Sequence, residues 1–258
     1  MNYWAERLAN SQLKLSDKTI KAINKEFQRI YGRAAKRVIA DFENTYNKLL
    51  ATIEDGKEPT PADLYKLDKY WQMQASLRQE LQKLGDKEIQ ILSKVFETHF
   101  FEIYYGIAIP GAVAFNTVDK QVVQSLINAV WVADGKTWSQ RIWDNTERLA
   151  ATLNEELLYI VTTGKKNTDL VNVLQERFNV SYHRAQTLVR TEVAHIQTEA
   201  AKQRYHDYGI KYVEVLVDPD ERTCELCKAL IGKKFLTTDT PPLPVHPNER
   251  CCLVPVID

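Results

Sequence analysis

The segment "RTCELCKALIGKKFLTTDTPPLPVHPNERCCLVPVID" (residues 222–258) contains all four cysteines of the 258-residue chain. Its first pair, Cys224 and Cys227, has C-x-x-C spacing, and two thiolates three residues apart on a tight turn can bind one metal ion. Two other interpretations are free buried thiols and a redox pair. A redox C-x-x-C usually begins a helix after a strand in a βαβ setting. The flanking residues here have β and turn character, which favours a metal site.

The end of the same segment can supply the remaining ligands. His246 follows Cys227 after 18 intervening residues, enough for a hairpin to return, and two adjacent cysteines, Cys251 and Cys252, come next. Neighbouring side chains of a strand face opposite ways, so only one of these two cysteines is expected to face the metal. Cys₃His is a common tetrahedral zinc set, and four protein ligands leave no position for water or substrate. The zinc is therefore expected to be structural.

Residues around the cysteines indicate a small β-rich tail. "IKYVEVLVD" (210–218) alternates and is rich in valine, which is typical of a strand, and "KKFL" (233–236) and "CCLVPV" (251–256) are further strand candidates. Such a short tail buries too little apolar surface for a core of its own, and small units of this kind commonly use a metal staple. We predict a mainly α fold with an elongated long-helix body and a small C-terminal β-rich, zinc-stapled lobe.

Helical periodicity covers most of the chain before Gly209. Ser16 or Asp17 is expected to cap a first long helix, Thr60 and Pro61 to begin a second, and Gly85 to end it. The predicted helices cover residues 16–53, 61–84, 86–105, 119–132, 137–163, 168–178 and 181–208. The predicted regions are 1–118 (N-terminal long-helix region), 119–209 (helical core) and 210–258 (β-rich Cys/His lobe).

Charge argues against a dedicated DNA binder overall, because the formal net charge at pH 7 is zero. Residues 1–50, however, carry ten Lys/Arg against five Asp/Glu, a net of +5. The first helix has a basic stripe, formed by Lys14, Lys18, Lys21, Lys25, Arg29 and Arg33. Such a stripe is either an ordinary solvated face or a contact for double-stranded DNA or an acidic protein surface.

Other candidate sites are weaker. Glu192-x-x-His195 has the spacing of di-iron bundles, but those need two such motifs and this sequence has one. Residues 168–200 have helix-turn-helix spacing, with a turn at "FNVS" (178–181) and a second helix too long for a recognition helix. The sequence contains no P-loop, GxGxxG, HExxH or GxSxG motif, so no enzyme is predicted.

The location of the protein in the cell is predicted from two features that the sequence lacks. The N-terminus lacks the apolar stretch of a signal peptide, and the longest apolar run, residues 106–115, is about half the length of a membrane span. We expect a cytoplasmic protein without membrane association, in which disulfides are rare and a metal site is favoured.

Several stretches together resemble a known family. They are "WSQRIWDNTERL" (138–149), "LVRTEVAHIQTEA" (188–200), the C-x-x-C pair and "HPNERC" (246–251). The chain is similar in these to the tailed-phage head morphogenesis family of minor head proteins, which includes the F protein of phage Mu. That family usually ends in a His-Pro-Asn-Cys-Arg-Cys run, and Glu249 replaces the first of those cysteines. The departure favours Cys251 over Cys252 as the fourth ligand, and it suggests that position 249 is not needed for metal binding.

The resemblance implies a structural role in the virion. It predicts a minor head protein in the head interior or portal region, present in the host cytoplasm during assembly. Its partners would be the portal protein and other capsid components, with a link to DNA packaging or ejection and no small-molecule substrate. The alternatives are a phage-borne zinc enzyme or toxin and a DNA-binding module.

The family's "RTE" element falls on Arg190, Thr191 and Glu192, without an assigned role. An Arg–Glu pair there could orient the zinc lobe, or it could be a plain surface ion pair that contributes little.

Overall fold

The computed structural model describes residues 3–53, 57, 60–109, 111–112, 117–163, 167–217 and 223–256. These residues form mainly α-helices and one three-stranded antiparallel sheet near the C-terminus, which confirms that part of the predicted fold class. The helices are α1 (Tyr3–Leu50), α2 (Pro61–Tyr65), α3 (Asp68–Gly106), α4 (Lys120–Ile127), α5 (Trp138–Thr162), α6 (Asn167–Asp207) and α7 (Glu225–Lys228). The strands are β1 (Tyr212–Leu216), β2 (Lys234–Leu236) and β3 (Cys252–Pro255). In the described parts of the chain, no helix is both long and apolar enough to cross a membrane.

The chain folds into two compact units, each built from separate stretches of sequence. Unit one comprises Met1–Asn24, Ile91–Trp138 and Thr187–Asp258, and unit two comprises Lys25–Gln90 and Ser139–Gln186. These bounds do not coincide with the predicted regions 1–118, 119–209 and 210–258. The reason is that α1, α3 and α6 each contribute residues to both units.

Unit one contains the sheet, in the order β2-β1-β3. Val213 and Val215 are buried on β1, as the alternating pattern predicts. Strand β3 is buried at all four positions, and two of its residues, Cys252 and Val254, pack in one cluster with Ala5 and Ala9 of α1. The lobe therefore shares its core with the first turns of α1.

Helix α1 begins 13 residues earlier than predicted, at Tyr3, and ends at Leu50. Ser16 does not cap it. Ser16 is buried within the helix, and its hydroxyl donates to Gln197 Oε1 (2.5 Å) and lies 3.2 Å from His99 Nε2. The prediction failed because a serine that caps a helix and one that serves a buried polar contact are identical in sequence.

Helix α3 is continuous through Gly85, so the predicted break between residues 84 and 86 is wrong. Gly85 is buried, and a Cβ built on it would lie 2.6 Å from Cζ3 of Trp143. The glycine is where the indole ring of Trp143, on α5, lies against the backbone of α3. This close packing explains the glycine without a helix end.

Helix α6 is also continuous, from Asn167 to Asp207, and the helix-turn-helix interpretation is therefore wrong. The stretch "FNVS" (178–181) contains neither proline nor glycine, and both Phe178 and Ser181 are buried. The carbonyl of Ser181 accepts a hydrogen bond from Asn145 Nδ2 at 3.1 Å. The backbone of this stretch thus makes a contact within unit two, and the stretch does not end the helix.

Helix α4 ends at Ile127, five residues before the predicted end. Asn128 supplies the ending, because its side-chain amide donates to the carbonyl of Gln124 at 2.8 Å. Trp131, which the prediction placed in the helix, lies instead against α6 in unit one.

Candidate metal centre

The C-x-x-C pair begins α7, a four-residue helix of unit one that follows β1, so the β and turn character predicted for the residues after Cys224 is wrong. Cys224 is its N-cap, and its sulfur accepts a hydrogen bond from the backbone N–H of Cys227 at 3.4 Å. The Cys227 side chain is buried, whereas that of Cys224 is half-buried. The turn therefore holds both sulfurs close together, one facing the interior and one nearer to solvent.

His246 approaches this turn from the loop before β3. Its Nε2 lies 3.2 Å from the Cys227 sulfur, and its Nδ1 lies 2.9 Å from the carbonyl of Pro247. Donation of the Nδ1 proton to that carbonyl leaves Nε2 without a proton and free to bind a metal. The ring is thus oriented with its ligand atom toward the cysteines.

Two triads of ligand atoms meet at Cys227. One consists of Cys224, Cys227 and His246, and the other of Cys227, Glu249 and Cys251. Within each triad all ligand atoms lie within 4.8 Å of one another. In a tetrahedral zinc site, sulfurs about 2.3 Å from the ion lie about 3.8 Å apart, so small side-chain adjustments suffice. The chemistry and the spacing of these donors fit a zinc ion.

Adjacent Cys251 and Cys252 face different surroundings. Cys251 belongs to the second triad, whereas Cys252 is fully buried in β3 and its sulfur accepts from Gln197 Nε2 at 3.1 Å. The opposite orientation of neighbours in an extended segment produces this difference. Of the four predicted ligands, Cys224, Cys227 and His246 therefore share one triad, and Cys251 joins Cys227 in the other.

Electrostatics differ across the cluster. The pKa of Cys224 is lowered, first of all by the hydrogen bond from the backbone of Cys227, while burial raises the pKa of Cys227 to about 11. Burial also raises the pKa of Cys251, and the hydrogen bond to the Pro247 carbonyl raises that of His246. A bound cation would oppose these upward shifts, because metal binding favours deprotonated ligands.

The RTE element lies on α6 beside this loop. Thr191 Oγ1 accepts a hydrogen bond from the backbone N–H of Asn248 at 3.4 Å. Arg190 is exposed and lines a groove together with Asn248 and Arg250. Thr191 thus contacts the loop before β3 directly.

Glu192 and His195 are both buried, and a third residue joins them. Glu192 accepts from the indole N–H of Trp131 at 3.1 Å, and the same indole stacks on the His195 ring with centroids 4.1 Å apart. His195 Nδ1 lies 3.1 Å from the carbonyl of Leu243. These contacts connect α6 to the connector after α4 and to the lobe. Sequence reasoning placed Trp131 in a helix and did not identify this contact, because Trp131 and Glu192 lie 61 residues apart in the chain.

The six residues of the basic stripe are all exposed on α1. Arg29 forms an ion pair with Glu26 at 2.6 Å, and Arg33 Nε donates to the Arg29 carbonyl at 3.3 Å. Asp17 lies between Lys14 and Lys18 in sequence and pairs with Arg250 at 2.9 Å. Part of the positive charge is therefore locally compensated, and a contact with DNA or protein stays a prediction.

Comparison with known families supports the resemblance. Residues 151–253 match the family model described as "Phage Mu protein F like protein". This region contains the RTE element, the C-x-x-C pair and "HPNERC", so the resemblance is confirmed over these residues. Neither a curated protein nor a solved structure matches the chain.

Proposed function

We propose that this chain is a minor head protein of a tailed phage, a structural component of the virion that acts in head morphogenesis. The observation that carries the proposal is the family match over residues 151–253, which coincides with the RTE element and the Cys/His cluster. The role is assembly rather than catalysis. The portal protein and other capsid components are its partners, and packaged DNA is a further candidate.

Co-expression with the other head genes tests this function. Tagged full-length chain, produced together with portal and capsid proteins, is expected to sediment with assembled heads and to be absent from free protein fractions. A chain that never enters particles, although it is folded and abundant, would exclude the proposal. The portal contact has its own test, which is cross-linking of the chain in heads assembled with and without portal protein.

The metal is proposed to be a structural zinc ion. Cys224, Cys227 and His246 would hold it, with Cys251 as the predicted fourth ligand, and the ion would supply cross-linking between α7 and the loop before β3. Binding of zinc to such sets contributes on the order of 10 kcal/mol to folding. Metal analysis of the purified chain is expected to find one zinc per molecule, and a metal-free chain with an ordered lobe would contradict this.

Contact with DNA through the basic stripe is a secondary proposal. Four of its residues, Lys14, Lys18, Lys21 and Lys25, are exposed cations on α1. Each phosphate contact adds to the salt dependence of binding, so neutralising all four should flatten that dependence. If the chain does not retain duplex DNA even at low salt, the stripe is not a DNA contact.

A further inference from the structure

The loop before β3 contains a buried carboxylate whose environment the predicted zinc set does not explain. Glu249 is 6% exposed, and it lies in the second triad with Cys227 and Cys251. A buried carboxylate is costly unless a cation or hydrogen-bond donors compensate its charge. The surroundings of each of its two oxygens therefore indicate what Glu249 does.

One oxygen of Glu249 has a clear structural task. The backbone N–H groups of Val245 and His246 both donate to Oε2, the second at 3.4 Å. The backbone N–H of Glu249 in turn donates to the carbonyl of His246 at 3.4 Å. These hydrogen bonds fold the loop around the carboxylate and fix the direction in which it points. A ligand oriented in this way by its own loop needs little reorganisation to bind a metal.

The other oxygen, Oε1, is buried and has no hydrogen-bond partner among the residues that the structure describes. A carboxylate oxygen of Glu249 lies within 4.8 Å of the sulfurs of both Cys227 and Cys251. In a tetrahedral site with bonds of about 2.3 Å to sulfur and about 2.1 Å to oxygen, these atoms would lie about 3.6 Å apart. The carboxylate of Glu249 is thus close to where a cation bound by Cys227 would compensate its charge.

We propose that Glu249 is itself a ligand of the metal ion in this lobe, in the fourth position that the sequence assigned to Cys251, so that zinc is bound by Cys224, Cys227, His246 and a carboxylate oxygen. This rests on the structural zinc proposed above and replaces the expectation that position 249 is not needed for the metal. Zinc accepts Asp and Glu oxygens beside cysteine and histidine. The carboxylate then has two tasks, which are to fold the loop through Oε2 and to bind the ion through Oε1.

Two substitutions at this position separate the two tasks. Glu249→Gln keeps an amide oxygen that can accept from the Val245 and His246 N–H groups, but it removes the anionic ligand. Glu249→Cys supplies a thiolate ligand but is a poor acceptor for those N–H groups. Glu225→Gln is the matched control, because Glu225 lies next to Cys224 but its side chain is 88% exposed and paired with Lys228.

Zinc affinity is measured by chelator competition on the full-length chain, together with the visible spectrum of the cobalt-substituted protein. Loss of an outer-shell partner typically costs 10–100-fold in metal affinity, so loss of a ligand should cost at least about tenfold. We expect that loss for Glu249→Gln, wild-type affinity for Glu225→Gln, and recovery in Glu249→Cys with added thiolate-to-cobalt absorption.

Three outcomes would overturn the proposal. Unchanged affinity and an unchanged cobalt spectrum in Glu249→Gln would show that the carboxylate does not bind the ion. A loss in Glu249→Cys, with full affinity kept in Glu249→Gln, would assign Glu249 to loop folding alone, because only the Cys variant loses the acceptor of the Val245 and His246 N–H groups. A wild-type chain that binds no zinc would exclude the structural metal itself, and this ligand with it, whereas zinc bound independently of Glu249 would leave the structural metal intact.

Discussion

Gly85 provides a sharp test of the packing in unit two. It lies inside α3, where a Cβ would be 2.6 Å from Cζ3 and 3.0 Å from Cη2 of Trp143. In an unobstructed helix, replacement of glycine by alanine stabilises by about 1 kcal/mol. In Gly85→Ala the new methyl group meets the indole ring, so the gain in helix propensity is opposed by a steric cost.

Magnitudes decide which effect prevails. Overpacking of this kind typically costs about 1–3 kcal/mol, and the middle of that range, about 2 kcal/mol, exceeds the gain of about 1 kcal/mol in helix propensity. We expect Gly85→Ala to destabilise the protein by about 1 kcal/mol. Gly32 of α1 is the matched control, because a Cβ there has no atom within 4 Å and the position is exposed. Gly32→Ala should stabilise by about 1 kcal/mol, giving a difference of about 2 kcal/mol between the two variants.

The assay is urea denaturation combined with amide hydrogen exchange. Since the chain has two compact units, one unfolding transition in urea need not describe the stability of both. Hydrogen exchange in peptides from residues 68–90, which belong to unit two, measures the stability of that unit separately. In a thermal denaturation of the same variants, each kcal/mol of stability corresponds to a change in Tm of about 2–4 °C for a chain of this size. Exchange of these amides should quicken in Gly85→Ala.

A second substitution removes the steric partner. In a Trp143→Leu background the indole ring is gone, so Gly85→Ala is expected to become neutral or stabilising. The coupling energy of the double-mutant cycle should then be about 1 kcal/mol or more, since contacting residues usually show about 0.5–3 kcal/mol. If Gly85→Ala stabilises the wild-type chain as much as Gly32→Ala does, the close contact with Trp143 is wrong. The same conclusion would follow if the effect of the alanine were independent of residue 143.

Three further predictions concern other buried groups. Burial raises the pKa of Glu88 from 4.5 to about 8, so the folded chain retains a proton that the unfolded chain loses, and the stability of the fold should fall as pH rises between these values. The substitution Glu88→Gln should remove this pH dependence, which amounts to at most about 5 kcal/mol. Denaturation measured across that pH range checks it. Cys224→Ser should lose zinc and increase exchange in residues 223–256, whereas Cys252→Ser should retain the metal, and equal zinc loss in both would contradict the assigned orientations. Trp131→Phe keeps a stacking ring but removes the donor to Glu192, and should cost about 1–3 kcal/mol in urea denaturation; an unchanged midpoint would show that this hydrogen bond contributes nothing.

Prediction from the sequence succeeded where the determining interactions are local. Apolar residues at helical spacing identified most of the helical segments, and valines at alternate positions identified β1, because both patterns repeat with the geometry of the element itself. The proximity of Cys224 and Cys227 could also be predicted from the sequence, since both lie on a single turn. The errors at Ser16, Gly85 and "FNVS" concern residues that commonly mark helix ends but here serve distant contacts.

The sequence by itself determined the helical body, the β-rich tail and a cluster of sulfur and imidazole ligands, because these follow from short-range periodicity and spacing. Only the tertiary structure decided which way the side chains near the C-terminus face. Cys252 packs on α1 and meets Gln197, 55 residues away, while Glu249 turns into the cluster beside Cys227. These positions depend on which distant surfaces the lobe buries, and packing of that kind leaves no periodic signal in a sequence.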